Sequence, residues 1–598
     1  MKYDRIYEIR RNEHLIDALQ RAGKQFIPTD CIINKQLPGI GATYMELEAP
    51  RKSIIIEPNV PVIESKAKKH AHCLAVMRGV TVARVVNFLE EHGDAPYKLL
   101  TTPESFPKIK EAMQELDLDM YNDCFLLFDE CEKLVQDVDF RSSIKLPMDD
   151  FFRFHHKALI SATPIVASDE RFRDFHRILI RPDYDYRLKL NLITTNNIVV
   201  ALSELIRAKR KSVCIFCNSI DSINSFFRII PELQNSCTYC SKDGMEKLYL
   251  GNRREKSVYI SELKHYNFFT SRFFSAVDIE CEPPHVVIVS DICGAPQSAI
   301  DPKTEAIQIA GRFRKGIASL THITSIDPEL PVQSRAEIEG WLSGASELYT
   351  LWGKQLEQVQ NDGKRTLLRE AMSHNSYTRF LDERGKEDAF LLANYYEEQA
   401  VRHLYTDARL LEEAYRLADY FVVKYEEKQY EVDDKERLAV QRQLSRKSRM
   451  QWMLIKWEQI AYLQKSKDKK MQERYYRMVQ SMLNSESERN LYLCYQRYGA
   501  DFVRNTDFKE KTIRESLGVL HSKVLKQSPE LHRRFAARFK EGECYTPTEA
   551  KVMLKALYKD LNIFCNDRMT AKELEKYAEV SYERKHQDRV IRIVKLKK

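Results

Sequence analysis

A short apolar run followed by two glycines decides the fold of this chain: residues 31–43 read CIINKQLPGIGAT. Residues 31–33 are typical of a buried strand, and Gly39 and Gly41 allow a tight turn in which backbone amides point at a phosphate. A helix that begins after this turn would add the positive end of its dipole, and Thr43 would supply a hydroxyl for magnesium. Since Gly-x-Gly between a strand and a helix is commonly only a turn, this motif needs support from the rest of the chain.

The first 330 residues repeat one sequence pattern, in which short β-branched runs are separated by longer amphipathic stretches. Fully apolar short runs are typical of parallel strands that are buried on both faces, and the stretches between them are long enough for crossover helices. This part of the chain is therefore predicted to be α/β. The runs that carry the prediction lie at residues 53–56, 125–128, 158–160, 213–216 and 286–289.

Composition excludes several classes of protein. The chain has 598 residues, of which 43% are apolar and 30% charged, so it is too long for one hydrophobic core and too apolar for a disordered chain. Its 13 cysteines form no short-spaced framework, and no apolar run approaches the roughly 20 residues of a membrane helix. We therefore expect several globular domains in the cytoplasm and no membrane partner.

The texture changes after Pro331, because no further proline follows before Pro529 and helix-forming residues dominate. A long proline-free stretch of this composition predicts stacked helices. One helix is predicted to run from residue 401 to residue 421, where apolar side chains recur at three-, four- and seven-residue steps. The C-terminal part is predicted to contain two capping boxes and a strand, at residues 546–549, 570–573 and 590–594.

The surplus of positive charge behind the net charge of +8 lies in the second half of the chain. Between residues 442 and 477, basic residues alternate with aromatic side chains, a pattern that suits a surface which follows phosphates and stacks bases. However, Met450, Leu454 and Trp457 form an ordinary helical core stripe, so the tryptophans are predicted to be packed in a core. The lysines at residues 465–470 fit either a DNA contact or a solvated turn.

An acidic cluster follows another apolar run, because residues 125–128 lead directly into Asp129, Glu130, Cys131 and Glu132. At the carboxyl end of a parallel strand, the first carboxylate can hold a nucleotide's magnesium while the second orients the attacking water. The alternative is a helix N-terminus whose acids interact with the dipole, and taken alone that interpretation is the simpler one.

The order of the motifs separates these alternatives. The chain resembles a superfamily 2 helicase over about residues 25–320, because eight motifs occur in the family's order and approximate spacing. These are motif I at residues 39–43, Ia at 56–59, Ib at 102–105, II at 129–132, III at 161–163, IV at 215–218, V at 270–279 and VI at 308–314.

The resemblance implies two tandem RecA-like domains, with ATP bound in the cleft between them. By this likeness, Thr43 and Asp129 hold magnesium and Glu130 positions the attacking water. This sequence shows no clear adenine-reading glutamine motif upstream of motif I, although Phe26 could stack on the base. The other residues matched to the family's nucleotide site are Gly39, Gly41, Ala42, Asp278 and Gln308, with Arg312 and Arg314 as arginine fingers. Those matched to the nucleic-acid backbone are Thr102, Pro103, Thr270 and Ser271.

Four parts are predicted: a RecA-like domain at residues 1–185, a second at 186–330, a large all-α accessory region at 331–540, and a small module at 541–598. The predicted function is that of an ATP-dependent helicase or translocase on single-stranded or forked DNA, with RNA as an open alternative. Motif VI is similar to that of herpesvirus origin-binding helicases and related phage and plasmid helicases. This likeness suggests replication of a mobile element or phage, with a replication partner on the helical region. A restriction translocase is a further alternative, but no compact nuclease cluster supports it.

One departure from the family's pattern bears on activity, because Ala42 stands where the family has its phosphate-loop lysine. Loss of one preorganised donor there costs about 3 kcal/mol, or about a hundredfold in rate. Either Lys35 bends back to supply the charge, or the fold is a catalytically weak DNA-binding scaffold. Asp129, Glu130 and the two arginines favour the first interpretation, since an inactive site has no chemical need for them. Motif V also has Ala276 where a glycine is usual.

Overall fold

The computed structural model describes residues 2–207, 209, 211–248, 254–260, 262–275, 278–382, 384–525, 529–560, 569–585 and 588–597, so Ala276 lies outside the described residues. The chain forms two compact units. The first contains Met1–Gln443 and Tyr462–Ser481, and the second contains Leu444–Ala461 and Met482–Lys598.

The first α/β domain is built on eight strands: β1 (Arg5–Ile9), β2 (Cys31–Asn34), β3 (Ser53–Ile56), β4 (Cys73–Val76), β5 (Lys98–Thr101), β6 (Phe125–Asp129), β7 (His156–Ser161) and β8 (His176–Pro182). All pair in parallel, in the order β1-β8-β2-β7-β6-β3-β5-β4. Neighbouring side chains such as Ile32 and Ile33 enter two different apolar clusters, so both faces of the sheet are covered. The covering helices are α1 (Leu15–Arg21), α2 (Ala42–Glu48), α3 (Val60–Ala67), α4 (Val82–His92), α5 (Phe106–Glu115), α6 (Met120–Asp123), α7 (Lys133–Gln136) and α8 (Met148–Phe151).

The second α/β domain has seven strands from one stretch of chain: β9 (Leu188–Thr195), β10 (Val213–Phe216), β11 (Ser236–Tyr239), β12 (Arg254–Ser257), β13 (Tyr266–Phe269), β14 (His285–Ser290) and β15 (Ser319–Thr324). An eighth strand, β16 (Phe421–Lys428), comes from the region predicted to be helical. All pair in parallel, in the order β12-β11-β13-β10-β14-β15-β9-β16. Its helices are α9 (Ile198–Arg207), α10 (Ile220–Ile229), α11 (Lys242–Lys247) and α12 (Glu305–Ala310).

The single helix predicted from residue 401 to residue 421 is wrong. Asp407 caps a new helix there by accepting a hydrogen bond from the amide of Arg409, and Asp419 turns the chain with a φ of 50°. The apolar side chains of this segment, including Leu411 and Phe421, pack into the core of the second domain. Their spacing therefore reflects burial against a sheet and not one continuous helix. The helices after β15 in the first unit are α13 (Arg335–Gln358), α14 (Asp362–Ser373), α15 (Ala389–Leu404), α16 (Ala408–Leu417) and α17 (Asp434–Gln443).

Further helices follow α17: α18 (Arg446–Gln464), α19 (Lys469–Met482), α20 (Glu486–Tyr498), α21 (Ala500–Asn505), α22 (Glu510–Leu525), α23 (Pro529–Arg538) and α24 (Pro547–Asp560). A three-stranded antiparallel sheet accompanies them, with strands β17 (Cys544–Tyr545), β18 (Ala578–Lys585) and β19 (Asp588–Leu596). The strand predicted at residues 590–594 is confirmed within β19. The capping box at Thr546 and Glu549 is also confirmed, whereas the one at residue 570 begins only a 3-10 turn.

The predicted fold class, two tandem RecA-like domains followed by a helical region, is confirmed by these two parallel sheets and the helices after them. Trp457 is fully buried, as the core stripe predicted. Several basic residues of the aromatic-rich stretch are used in packing. Arg477 donates to the carboxylate of Glu232, and Arg449 pairs with Glu488 at 2.9 Å. Among the described residues, no helix combines the length and apolar character that a membrane crossing demands.

Candidate functional site

The glycine loop and the acidic cluster lie at the same edge of the first sheet. The loop follows β2 and the acids end β6, with β7 between the two strands. Because the carboxyl ends of parallel strands meet at one edge, both groups come together there. Gly39 and Gly41 have φ angles of +82° and +85°, in the left-handed region that favours glycine, and Ala42 begins α2.

Lys35 lies inside this cluster and not on the surface. Its Nζ is 3.1 Å from Oδ1 of Asp129 and 3.7 Å from Oε1 of Glu130, and only 4% of the residue is exposed. Burial alone would lower the pKa of Lys35, but Asp129 and Glu130 raise it above the ordinary lysine value. Lys35 therefore brings one fixed positive charge to the acidic pair at neutral pH.

Thr43 joins the same cluster from α2. Its hydroxyl donates to Oδ2 of Asp129 and accepts a hydrogen bond of 2.8 Å from Nζ of Lys66. Lys66 also pairs with Glu57, whose Oε1 lies 3.4 Å from the Thr43 hydroxyl. Burial would raise the pKa of Asp129, yet Lys35, Lys66 and the Thr43 hydrogen bond lower it to about 2. Asp129 is thus ionised under all ordinary conditions.

The second α/β domain reaches this cluster through α12 and the residues after it. Nε2 of Gln308 lies 3.2 Å from Oε2 of Glu130, 3.2 Å from Oε1 of Glu132 and 3.1 Å from the hydroxyl of Thr163. Arg312 donates to the side-chain oxygen of Gln308 at 3.1 Å and to its backbone carbonyl at 2.9 Å. Residues from both domains therefore form one continuous polar network.

Arg314 lies directly over the glycine loop. A β-carbon on Gly39 would lie 1.7 Å from its Nη1, so a side chain there would displace this guanidinium. Arg314 is held there by an ion pair of 2.8 Å with Asp278. A second close approach joins Pro38 and Gly311, where an added β-carbon would meet the Pro38 ring at 2.4 Å. The two glycines thus permit the two domains to touch at the loop.

The two glutamates of the cluster have pKa values that are shifted in opposite directions. Burial opposes ionisation of Glu130, but Lys35 lowers its pKa below the ordinary glutamate value. Burial and the neighbouring Glu130 raise the pKa of Glu132 well above that value. Oε2 of Glu132 is also buried without a hydrogen-bond partner. Glu130 is therefore the stronger acid of the two, and Glu132 holds its proton more readily.

A cleft of about 650 Å³ opens beside the glycine loop. Tyr184, Tyr186 and Arg314 are among its lining residues, and the guanidinium of Arg11 lies 5.2 Å from the Tyr184 ring centroid. Phe26 does not line this cleft, because it packs under Arg51 at the far end of α2. The stacking of Phe26 on a base stays a prediction, and the aromatic side chains beside the glycine loop come from residues 184–186.

A larger cleft of about 1240 Å³ runs between the two α/β domains and α15. Thr270 and Ser271 line it, as do Phe140 and Tyr259, whose side chains are 77% and 67% exposed. Its other lining residues include Asn59 of motif Ia, Asn218 of motif IV, and Glu397, Glu398 and Arg402 of α15.

Two residues matched to a nucleic-acid contact lie elsewhere. Thr102 and Pro103 are buried at the end of β5 and do not line the larger cleft. A direct phosphate contact by either side chain is not supported, since a buried hydroxyl cannot reach a strand lying on the surface. Sequence reasoning also missed Glu57 and Lys66. Glu57 directly follows an apolar strand, as Asp129 does, so the sequence pattern could have identified it. Nothing in the sequence around Lys66 on α3 distinguishes it from a surface lysine.

The oxygens around Thr43 suit a magnesium ion. The Thr43 hydroxyl and the carboxylates of Asp129 and Glu57 are hard donors, and an ammonium bound among them indicates that the cluster accepts a cation. No larger His, Cys, Asp and Glu cluster occurs in the described part of the chain. The donors at Thr43 suit an ion that one or two carboxylates hold together with substrate phosphates.

Comparison with known proteins gives no close relative, because no family model and no curated protein matches the chain. Among solved structures, S. cerevisiae Dbp5 bound to RNA and ADP BeF3 has 12% identity and a TM-score of 0.32, covering 50% of this chain and 79% of Dbp5. The type ISP restriction-modification enzyme LlaBIII bound to DNA has 10% identity and a TM-score of 0.35, covering 91% and 39%. The Escherichia coli DEAH/RHA helicase HrpB has 13% identity and a TM-score of 0.31, covering 76% and 58%. Scores this low establish no function, and the fold rests on the strand order above.

Proposed function

We propose that this protein is an ATP-dependent nucleic-acid translocase or helicase that acts on single-stranded or forked DNA, with RNA as the other polymer to test. One observation carries the proposal: Glu130 of the first α/β domain contacts Gln308 of the second, which in turn binds Arg312. An acid that can orient water and a guanidinium that can stabilise developing charge thus belong to one network that spans two domains.

ATP is the proposed substrate, and Thr43 and Asp129 are the proposed magnesium ligands. Magnesium would neutralise charge on the phosphates. The glycine loop would present backbone amides to them, and Lys35 would supply the ammonium that Ala42 lacks, although it reaches from the end of β2 and not from the loop. Glu130, kept charged by Lys35, would orient the attacking water, while Arg312 and Arg314 would face the transferred phosphate.

Nucleotide occupancy would change the distance between the two domains. Arg314 lies on Gly39 and is paired with Asp278. A nucleotide on the loop would compete with Asp278 for the Arg314 guanidinium. Binding to the first domain would thereby change a contact made by the second. Closure on ATP and release after hydrolysis would give stepwise motion along a strand. We further propose a role in the replication of a mobile element or phage, with a partner protein on the helical region.

The larger cleft is the proposed path of the strand. Thr270 and Ser271 offer short hydroxyls to phosphates, and Phe140 and Tyr259 offer exposed rings to bases. The α15 wall carries Glu397, Glu398 and Arg402, and burial raises the pKa of both glutamates. This wall is thus of mixed charge, and the proposed strand contacts lie at the hydroxyls and the exposed rings.

The first test is ATP turnover by the wild-type protein without nucleic acid and with single-stranded DNA, forked DNA or single-stranded RNA. We expect turnover that rises when a single strand is added. The preferred polymer is the one that gives the larger stimulation at equal nucleotide concentration. Absence of turnover under all four conditions would contradict the proposal.

A catalytically inactive, DNA-binding scaffold is the second candidate, because Ala42 occupies the lysine position and Lys35 is already engaged with two carboxylates. Such a protein would bind nucleotide and nucleic acid with no turnover. The two candidates are separated by the same assay together with a binding measurement for a fluorescent ADP analogue.

Removing the exposed rings of the cleft should weaken strand binding. Base stacking is worth about 1–3 kcal/mol per base, so Phe140→Ala and Tyr259→Ala should each raise the Kd for single-stranded DNA by about tenfold or more. Fluorescence anisotropy with a labelled oligonucleotide measures this change. Tyr476→Ala is the matched control, since Tyr476 is 45% exposed on α19 and does not line the cleft. A larger loss of affinity in Tyr476→Ala would indicate that the strand binds to the helical region instead of the larger cleft.

A further inference from the structure

We infer that Lys66 occupies the cation position of the Thr43–Asp129 cluster when no nucleotide is bound, and that a divalent cation enters only by displacing its ammonium. This inference rests on the proposed function, since it concerns the same magnesium ligands. It assigns to Lys66 the role of an exchangeable cation, which neither its position on α3 nor the motif pattern indicates.

The contacts of Lys66 place its charge on the proposed metal ligands. Nζ donates to the Thr43 hydroxyl at 2.8 Å and pairs with Glu57. The same hydroxyl donates to Asp129, so one oxygen links the ammonium to the carboxylate that would hold the metal. Glu57 is only 1% exposed and needs a cation beside it, because a buried carboxylate without a partner is costly.

A divalent cation and this ammonium cannot share the Thr43 oxygen. Two cations at contact distance in a partly buried site repel strongly, and the hydroxyl has a limited number of lone pairs to offer. The metal would take over the partnership with Glu57 as it arrives. Lys66 therefore competes with the metal. While no metal is bound, its charge also reduces the repulsion among the three adjacent carboxylates.

The two lysines of the site differ in their freedom to move. Lys35 has a side chain that is 6% exposed and lies between Asp129 and Glu130. Lys66 has a side chain that is 27% exposed and lies in the last turn of α3. A long side chain at the solvent boundary can swing outward at low cost, whereas Lys35 has no such path. Lys35 is thus the fixed charge and Lys66 the exchangeable one.

Binding of Mn²⁺ to the full-length protein without nucleotide tests the inference. Isothermal titration calorimetry is performed on the wild type, Lys66→Met, Lys66→Arg and Lys68→Met. Relief of like-charge competition should make the Kd of Lys66→Met lower than that of the wild type by about tenfold. Lys66→Arg retains the charge, and Lys68→Met removes an exposed charge from the same helix end, so both should bind as the wild type does. A purely structural role for Lys66 predicts the opposite sign, and equal or weaker Mn²⁺ binding by Lys66→Met would overturn the inference.

A second measurement uses the unaltered chain, in case Lys66→Met does not fold. Acetic anhydride labelling of Lys66 and Lys68 is quantified by peptide mass spectrometry with and without saturating Mn²⁺. Displacement should increase the labelling of Lys66 and leave that of Lys68 unchanged. Labelling of Lys66 that stays constant or falls would overturn the inference. Neither measurement involves ATP, so a wild-type protein without turnover contradicts the proposed function and leaves this comparison intact.

Discussion

Replacement of Glu130 with glutamine should lower the rate of ATP hydrolysis by about 10²–10³-fold. Lys35 keeps Glu130 ionised in a buried position, and only the charged carboxylate can accept a proton from an attacking water. Glutamine keeps the shape and can still contact Gln308, so the Kd for nucleotide should stay close to that of the wild type. Phosphate release under steady-state conditions and anisotropy of a fluorescent ADP analogue measure the two quantities.

Glu132→Gln is the matched control for this experiment. Glu132 contacts the same Gln308 nitrogen, but burial and the neighbouring Glu130 raise its pKa, so it is the weaker acid of the two. Exchange of this weaker acid for an amide should change turnover less than Glu130→Gln does. Equal losses in both variants would mean that the network around Gln308, and not the charge of Glu130, determines the rate.

Replacement of Lys35 with methionine should lower turnover by about a hundredfold, the typical effect of removing one preorganised donor from an active site. It also leaves Asp129 and Glu130 without their buried counter-charge, so the thermal midpoint should fall as well. Measurement of both turnover and unfolding separates the two effects. Turnover at the wild-type level would show that Lys35 does not act for the absent loop lysine.

The double variant Lys35→Met with Ala42→Lys sharpens this test. It moves the positive charge from the end of β2 to the first position of α2, where the family has its lysine. Partial recovery of turnover relative to Lys35→Met alone is expected if the site requires one ammonium and tolerates either origin. A double variant that binds nucleotide but is no more active than the single one would indicate that the position of Lys35 itself is essential.

Much of the candidate site was predictable because sequence order translates into position in a parallel sheet. An apolar run followed by glycines or acidic residues predicts a strand with those residues at its carboxyl end. In a parallel sheet, the carboxyl ends of the strands lie at the same edge. Lys35 lies 3.1 Å from Asp129, and its predicted role as the substitute for the loop lysine stays a prediction. The network through Gln308 and Arg312 could be anticipated only from the family likeness, since nothing local in the sequence brings two sheets together.

Other features had no local signal. The contact between Lys66 and Thr43 depends on how α3 returns over the sheet, which no periodicity encodes. The strand β16 was read as the end of a helix, because Phe421 continues an apolar spacing that a sheet core satisfies equally well. Thr102 belongs to a matched motif but is buried. A motif match specifies the order of residues along the chain and does not determine their exposure to solvent.

β16 makes the second α/β domain a structure of two distant pieces of chain. Its eight residues pair along the whole of β9, and Asp434 beyond it binds the backbone amide of Ile198 at the start of α9. A polypeptide cut at residue 330 would expose β9 as an open sheet edge, which invites aggregation. Shortened versions should therefore extend beyond residue 443. Any rotation of the second sheet during a working cycle would therefore carry β16 and the start of α17 with it.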